Sequence, residues 1–286
     1  MLAASEIRGL LERYGLDARR SLGQNFVADP DTVVRIARLA RIVPGSHVVE
    51  VGPGLGSLTL ALADAGGEVL ALEKDPLLIP VLAEVLASRG VGSVRVVEAD
   101  ALHVDWSSML DPDVEWVLVA NLPYNVAVPI ILSVLEHANA VERLVVMVQK
   151  EVAERLVAGP GGRTVGIPSM RVAWYAEAEL LGTVEPEVFV PRPRVTSAIV
   201  GMTRRPPPTG GLPPDRVFPL IETAYRNRRK MLRSTLVPRV PLEAFERAGI
   251  EPTARPEELG VQSWVDLAVA ADSMGERSAH PPAGPA

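Results

Sequence analysis

The run His47-Val48-Val49-Glu50-Val51-Gly52-Pro53-Gly54-Leu55-Gly56 decides the fold. Its first five residues are mostly apolar and read as a buried strand. Three glycines at alternate positions then turn the chain into Gly56–Ala65, whose pattern is helical. Strand, glycine turn and helix together open a nucleotide-binding α/β unit. The same alternation continues downstream. Glu68–Leu72, Val94–Val97, Trp116–Ala120 and Leu144–Val148 read as further strands, and Pro76–Ser88 and Val128–Glu136 as helices between them. Strands that are apolar throughout and separated by helices form a parallel sheet covered on both faces. The expected architecture is α/β and doubly wound, with ligands at the carboxyl ends of the strands.

The C-terminal third changes character. Leu180–Val184 and Ala198–Met202 read as two more strands, flanking a proline-rich stretch, 186–193, that suits neither helix nor central strand. Arg205-Pro206-Pro207-Pro208-Thr209-Gly210-Gly211 reads as a linker. Asp215–Val237, Leu242–Gly249 and Val261–Ser273 are helical patterns. The expected division is 1–205 as the catalytic domain, with 1–45 as an N-terminal segment, 206–273 as a small all-helical domain, and 274–286 as a disordered tail.

Composition narrows the chemistry. The chain has no cysteine, which excludes disulfides and thiolate chemistry, and its four histidines show no ligand spacing, so no metal is expected. No apolar run is long enough to cross a membrane, and the N-terminus lacks a signal-peptide layout, so a cytoplasmic protein is expected. The net charge of −6 argues against a nucleic-acid partner until its distribution is considered. Between Gly201 and Val240 nine basic residues face two acidic ones, a local balance of +7. Arg226, Arg228, Arg229, Lys230 and Arg233 form the densest part, a candidate RNA-binding surface.

The glycine turn has the spacing G-x-G-x-G. A dinucleotide site expects G-x-G-x-x-G, but position 57 is Ser, and no hydride-transfer residue is apparent. Glu50 stands before the glycines, where a carboxylate would compete with a pyrophosphate for the helix N-terminus. A ligand with a cation and no phosphate suits this arrangement, and S-adenosylmethionine is such a ligand. Glu73, at the end of the second strand, can accept from both ribose hydroxyls, and Asp100, after the third, from an adenine amino group. After the fourth strand, Asn121-Leu122-Pro123-Tyr124 offers an amide oxygen, a backbone carbonyl and an aromatic face at one point, which suits a planar base bearing an amine.

These motifs together are specific. Ser21-Leu22-Gly23-Gln24-Asn25-Phe26, Val49–Gly56, Asn121-Leu122-Pro123-Tyr124-Asn125, Phe189-Val190-Pro191-Arg192-Pro193-Arg194-Val195-Thr196-Ser197 and Arg228-Arg229-Lys230-Met231-Leu232-Arg233 resemble the ribosomal RNA adenine dimethyltransferase family, from about residue 5 to 272. The resemblance implies a class I S-adenosylmethionine-dependent methyltransferase, Rossmann-like, with a mainly parallel sheet. It implies dimethylation of N6 on two adjacent adenosines in a hairpin loop near the 3′ end of 16S rRNA, by a monomer acting in small-subunit biogenesis. Asn25, Val27, Gly52, Glu73, Asp100 and Asn121 would hold the cofactor. Asn121 Oδ1 and the Leu122 carbonyl would accept the amino hydrogens of the target adenine, and Tyr124 would stack on its ring. Phe189 is a candidate for the opposite face of the base, with core packing as its alternative. Where many members read Asn-Ile-Ser-Thr-Pro, this chain has Asn125-Val126-Ala127-Val128-Pro129, without the hydroxyls. A 23S rRNA methyltransferase conferring macrolide resistance and a non-catalytic assembly factor are the alternatives.

Overall fold

A computed structural model describes residues 1–16, 24–237 and 239–279. Ser21, Leu22 and Gly23 of the N-terminal motif lie outside the described residues, as does the tail from 280 on. The chain forms two compact units, one of Met1–Val157 with Ala176–Arg205, the other of Ala158–Tyr175 with the chain from Pro206.

The first unit is built on seven strands: β1 His47–Val51, β2 Glu68–Glu73, β3 Val94–Glu98, β4 Trp116–Asn121, β5 Val141–Gln149, β6 Ala176–Val184 and β7 Ser197–Arg204. Their order in the sheet is β3-β2-β1-β4-β5-β7-β6. The first five pair in parallel, and β7 runs antiparallel to both β5 and β6. The apolar strands predicted this. Val48, Val49, Leu118, Val119, Ala120, Val146, Met147 and Val148 are almost fully buried, as residues between two helical layers must be.

Among the described residues seven helices accompany the sheet: α1 Ala4–Arg13, α2 Pro30–Leu39, α3 Ser57–Asp64, α4 Ile79–Ser88, α5 Trp106–Met109, α6 Ala127–His137 and α7 Lys150–Leu156. Asp29 caps α2 by accepting from the Thr32 N–H at 2.9 Å, with Pro30 in the first turn. Leu2, Ile7 and Leu10 pack α1 into a cluster with Leu78, Val81 and Leu82. The exposed pairs Arg13–Glu84 and Arg89–Glu6 add little to that apolar contact. The proline-rich stretch holds a single 3₁₀ turn, Pro186–Val188, then Phe189–Val190, which pairs antiparallel with Phe26–Val27. This two-residue ladder ties the N-terminal segment to the body of the unit.

The C-terminal end of α6 is closed from outside. Arg204 donates Nη1 to the Leu135 carbonyl at 3.0 Å, Nη2 to Ala138 at 3.0 Å and Nε to Val141 at 2.9 Å. A guanidinium is well matched to the unsatisfied carbonyls and negative dipole of a helix end.

The second unit contains α8 Ile167–Tyr175, α9 Pro214–Tyr225, α10 Leu232–Leu236, α11 Leu242–Arg247 and α12 Val261–Ala279. Four expectations are corrected here. Residues 158–175, expected in the first domain, belong to this unit because Met170 and Trp174 fill its core, with Trp174 5.3 Å from the Phe218 ring. The linker is anchored: Thr209 and Gln262 exchange hydrogen bonds of 3.1 and 2.9 Å, and Gly210 lies too close to Val265 to carry a side chain. The helical pattern Asp215–Val237 breaks between Tyr225 and Leu232, where the Leu232 and Arg233 N–H groups donate to Ala254 and Pro252 and not to the preceding turn. α12 also runs six residues past the Ser273 expected to end it.

Arg204→Met should lower the stability of the first unit by about 2 kcal/mol, because it leaves several helix-end carbonyls without a donor. Urea unfolding checks this; a loss within about 0.5 kcal/mol contradicts the capping role.

Candidate active site

Parallel strands place their carboxyl ends at one edge, and a crevice opens where neighbouring strands send their chains to opposite sides. Here those neighbours are β1 and β4. A cavity of about 170 Å³ lies there, lined by the ends of β1, β2 and β4, the loop after β3, and Gln24–Val27. Asn25, Val27, Gly52, Glu73, Asp100, Asn121, Leu122 and Tyr124 all line it.

Two glycines shape the floor. Gly52 has φ +70°, and a Cβ there would meet no protein atom within 4 Å, so that space belongs to the cavity. Gly54 has φ +60°, and a Cβ would stand 2.9 Å from the Phe26 ring. Its lack of a side chain lets the N-terminal segment close over the turn.

The acids differ in how they are held. Glu50 is almost fully buried, and its Oε2 has no hydrogen-bond partner; neither does the buried Oγ of Ser57 beside it in the lining. Burial pushes Glu50 up to about 8, opposed by the nearby Thr59 hydroxyl and reinforced by the Glu73 carboxylate. Glu73 accepts from the Gly54 N–H at 3.0 Å and the Asp75 N–H at 2.8 Å. Burial still raises its pKa, against those bonds. Each Glu73 oxygen keeps a lone pair for a diol. Burial also works to raise Asp100, but the Lys74 ammonium at 2.7 Å, the Leu102 N–H and His103 outweigh it and hold its carboxyl below the usual range. Asp100 Oδ2 takes both Lys74 and His103, while Oδ1 accepts from the Leu102 N–H and keeps one lone pair for a ligand amine.

Asn121 ends β4. Its Nδ2 donates to the Asn25 carbonyl at 2.9 Å, which sets the amide's orientation and leaves Oδ1 as the acceptor. The Leu122 N–H donates to Met147 on β5 at 3.1 Å, so the backbone on which the turn stands is fixed. Tyr124 is half-buried, with its hydroxyl 2.7 Å from Ser197 Oγ. Burial holds the phenol above its ordinary value, so it stays protonated.

Phe189 is corrected. It is 3% exposed, does not line the cavity, and packs with Val27, Val33 and Ile36. Its ladder partner is Val27, and this pairing turns the ring into the apolar core. The plainer alternative, core packing, is the one realised.

In the second unit, Arg226, Arg229, Lys230 and Arg233 are exposed around the break between α9 and α10. Arg226, Arg229 and Lys230 are presented on the turn and Arg233 in the first turn of α10, so they do not share one helix face. Arg228 is different: its Nη2 donates to the Arg163 carbonyl at 2.7 Å and its Nε lies 3.6 Å from Glu257. It ties the glycine-rich loop 159–163 to the 3₁₀ turn Pro256–Glu258, whose Glu257 carbonyl accepts from the Gly161 N–H.

Comparison with known proteins agrees with this geometry. The sequence profile described as "Ribosomal RNA adenine dimethylase" matches residues 15–272. The chain belongs to the ribosomal RNA adenine dimethylase family. Among relatives, Ribosomal RNA small subunit methyltransferase A of Kineococcus radiotolerans is 46% identical, over 99% of this chain and 96% of its own length. The protein of the same name from Cutibacterium acnes is 44% identical, over 98% and 96%. The crystal structure of 23S rRNA methyltransferase ErmE is 28% identical, with a TM-score of 0.67 over 86% of this chain and 99% of that one. A dimethyladenosine transferase from Plasmodium falciparum, at 22% identity and a TM-score of 0.74, covering 86% and 97%, shares the fold.

In this member of the dimethylase family, sequence reading missed three contacts around the cavity. They are the Lys74–Asp100 pair, the Asn25 carbonyl on Asn121, and Ser197 on Tyr124. Each joins residues from different strands or loops, so local spacing carries no signal of them. The acids give a pH test. Glu50 rises from an ordinary 4.5 to about 8 on folding, so the ligand-free folded chain holds an extra proton between those values. The contribution of Glu50 to stability is therefore greatest below pH 4.5 and falls as pH rises toward 8, by up to about 1.4 kcal/mol per pH unit. Glu50→Gln should remove one proton's worth of that slope, read by urea unfolding at pH 5.5 and 7.5; an unchanged slope contradicts the buried neutral acid.

Proposed function

We propose that this chain transfers methyl groups from S-adenosylmethionine to N6 of two adjacent adenosines in a hairpin loop near the 3′ end of 16S rRNA. It acts as a cytoplasmic monomer on a small-subunit assembly intermediate. The observation that carries the reading is the Asn121 amide, turned by the Asn25 carbonyl so that its oxygen accepts, in one cavity with Tyr124, Glu73 and Asp100. The residues fit the donor. Glu50 Oε2 and Ser57 Oγ are buried polar atoms in want of a partner, and a cationic amino group supplies one. Gly52 leaves room above the backbone, and Glu73 has acceptors for two hydroxyls.

S-adenosylmethionine, when bound, supplies a methyl group on a sulfonium, a good leaving group. The chain's own part is to hold and prepare N6. The adenine amino lone pair is delocalised into the ring. Asn121 Oδ1 and the Leu122 carbonyl accept its two hydrogens and favour the pyramidal nitrogen that attacks in line. Tyr124 stacks on the base, which must leave its own stack to enter. No strong base is needed, because the methylated nitrogen cation gives up its proton readily. The exposed Arg226, Arg229, Lys230 and Arg233 supply phosphate contacts. Arg228, being committed within its own unit, supplies less than its position in the run suggests.

The ErmE likeness keeps a 23S rRNA substrate as the second reading. The relatives at 44% and 46% identity over nearly the whole chain favour the small subunit. Tritiated methyl transfer to undermethylated 30S and to 50S particles, followed by nucleoside identification, decides between them. N6,N6-dimethyladenosine confined to 30S is expected; label confined to 50S rejects the proposal. Asn121→Ala should reduce transfer by at least about 100-fold, in line with loss of a preorganised transition-state contact, while particle binding persists. Wild-type turnover would remove Asn121 from the mechanism. Arg229→Glu with Lys230→Glu should weaken particle binding and flatten its salt dependence, whereas Arg228→Ala should act mainly on the thermal stability of the second unit.

A further inference from the structure

We infer that Ser197 is a positioning residue for the target base: its side chain fixes the ring of Tyr124, against which the adenosine stacks. This rests on Tyr124 being the stacking face. Tyr124 Oη and Ser197 Oγ lie 2.7 Å apart, a full-strength hydrogen bond between hydroxyls. Ser197 is 0% exposed, while the Tyr124 ring lines the cavity.

The support beneath Ser197 is unusually firm. It is the first residue of β7 and pairs with Gln149 of β5 on one side and Val184 of β6 on the other. The carbonyl of the preceding Thr196 accepts from the Lys150 N–H at 3.0 Å. A side chain on a backbone held from both flanks can serve as a fixed point. Tyr124 itself lies past the end of β4, outside the strand pairing, and a tyrosine attached only at Cα swings about χ1. A hydrogen bond at the far end of the ring fixes the ring's axis and keeps the face at one wall of the cavity. That ordering is then complete before the base arrives.

Topology explains why a residue so far along the chain is available. β7 runs against its neighbours, so its first residue lies at the edge where the parallel strands end, beside Asn121–Tyr124. A parallel seventh strand would put its start at the opposite edge. The reversal of β7 thus delivers a buried hydroxyl to the base-binding turn.

The test is a double-mutant cycle of Ser197→Ala and Tyr124→Phe, with Ser197→Thr as the conservative variant, on undermethylated 30S particles. Removing one such hydrogen bond predicts a fall in kcat of about three- to tenfold for either single variant. Affinity for S-adenosylhomocysteine by calorimetry should stay within about twofold, and Ser197→Thr should recover most of the rate. In the Tyr124→Phe background Ser197→Ala should cost nothing further. A full additional loss in that background, or a wild-type rate for Ser197→Ala alone, overturns the proposal. If Ser197→Ala does not fold, Tyr124→Phe still removes the same bond from the ring's side, and a wild-type rate there overturns it equally. Tyr124→Ala separates the two ideas: unchanged transfer with Ala would sink the stacking role itself, whatever Ser197 does.

Discussion

The parting of β1 from β4 is the constraint on which the site depends. The two strands are hydrogen-bonded neighbours, yet β1 leads through α3 to β2 on one side and β4 through α6 to β5 on the other. Neither of these two connections crosses the gap between the strands, so the backbone there faces a cavity and not a packed helix. The candidate site residues of the first unit, Phe189 apart, line that gap. Gly52 and Gly54 leave it from β1, Glu73 stands at the end of β2, and Asn121 ends β4. The antiparallel β7 brings Ser197 to the same edge.

The gap is costly to the fold. Desolvation raises both Glu50 and Glu73; the Glu73 carboxylate adds to the rise at Glu50, and the Asp75 carboxylate to that at Glu73. Glu73 is partly compensated by backbone N–H groups, and Asp100 by Lys74, but Glu50 keeps an oxygen without a partner. A chain selected for stability alone would not retain that atom. Acids with shifted pKa values gathered in one cleft, Glu50 strongly so, mark a functional site, and a cationic ligand relieves the penalty the fold leaves open.

The turn Asn121–Tyr124 is held differently from the acids. Its three functional groups are each fixed by a partner distant in sequence: the Asn121 amide by Asn25, the Leu122 backbone by Met147, and the Tyr124 hydroxyl by Ser197. The N-terminal segment is therefore part of the wall of the site, secured by the Phe26–Val27 ladder to Phe189–Val190 and by the Phe26 ring over Gly54.

The amino-acid sequence by itself determined the layered fold, because buried parallel strands must be apolar on both faces and their helices must separate them. It also determined the glycine turn, the strand-end acids and the Asn-Leu-Pro-Tyr turn, which are local patterns with local causes. Tertiary structure alone decided which face Phe189 presents, since a two-residue ladder with Val27 turned it into the core. It alone committed Arg228 to Arg163 and Glu257, and broke the α9–α10 pattern through the carbonyls of Pro252 and Ala254. The physical reason is the same in each case: a side chain's role depends on the partner that satisfies it, and those partners lie tens of residues away, joined only when the sheet and the helical unit close.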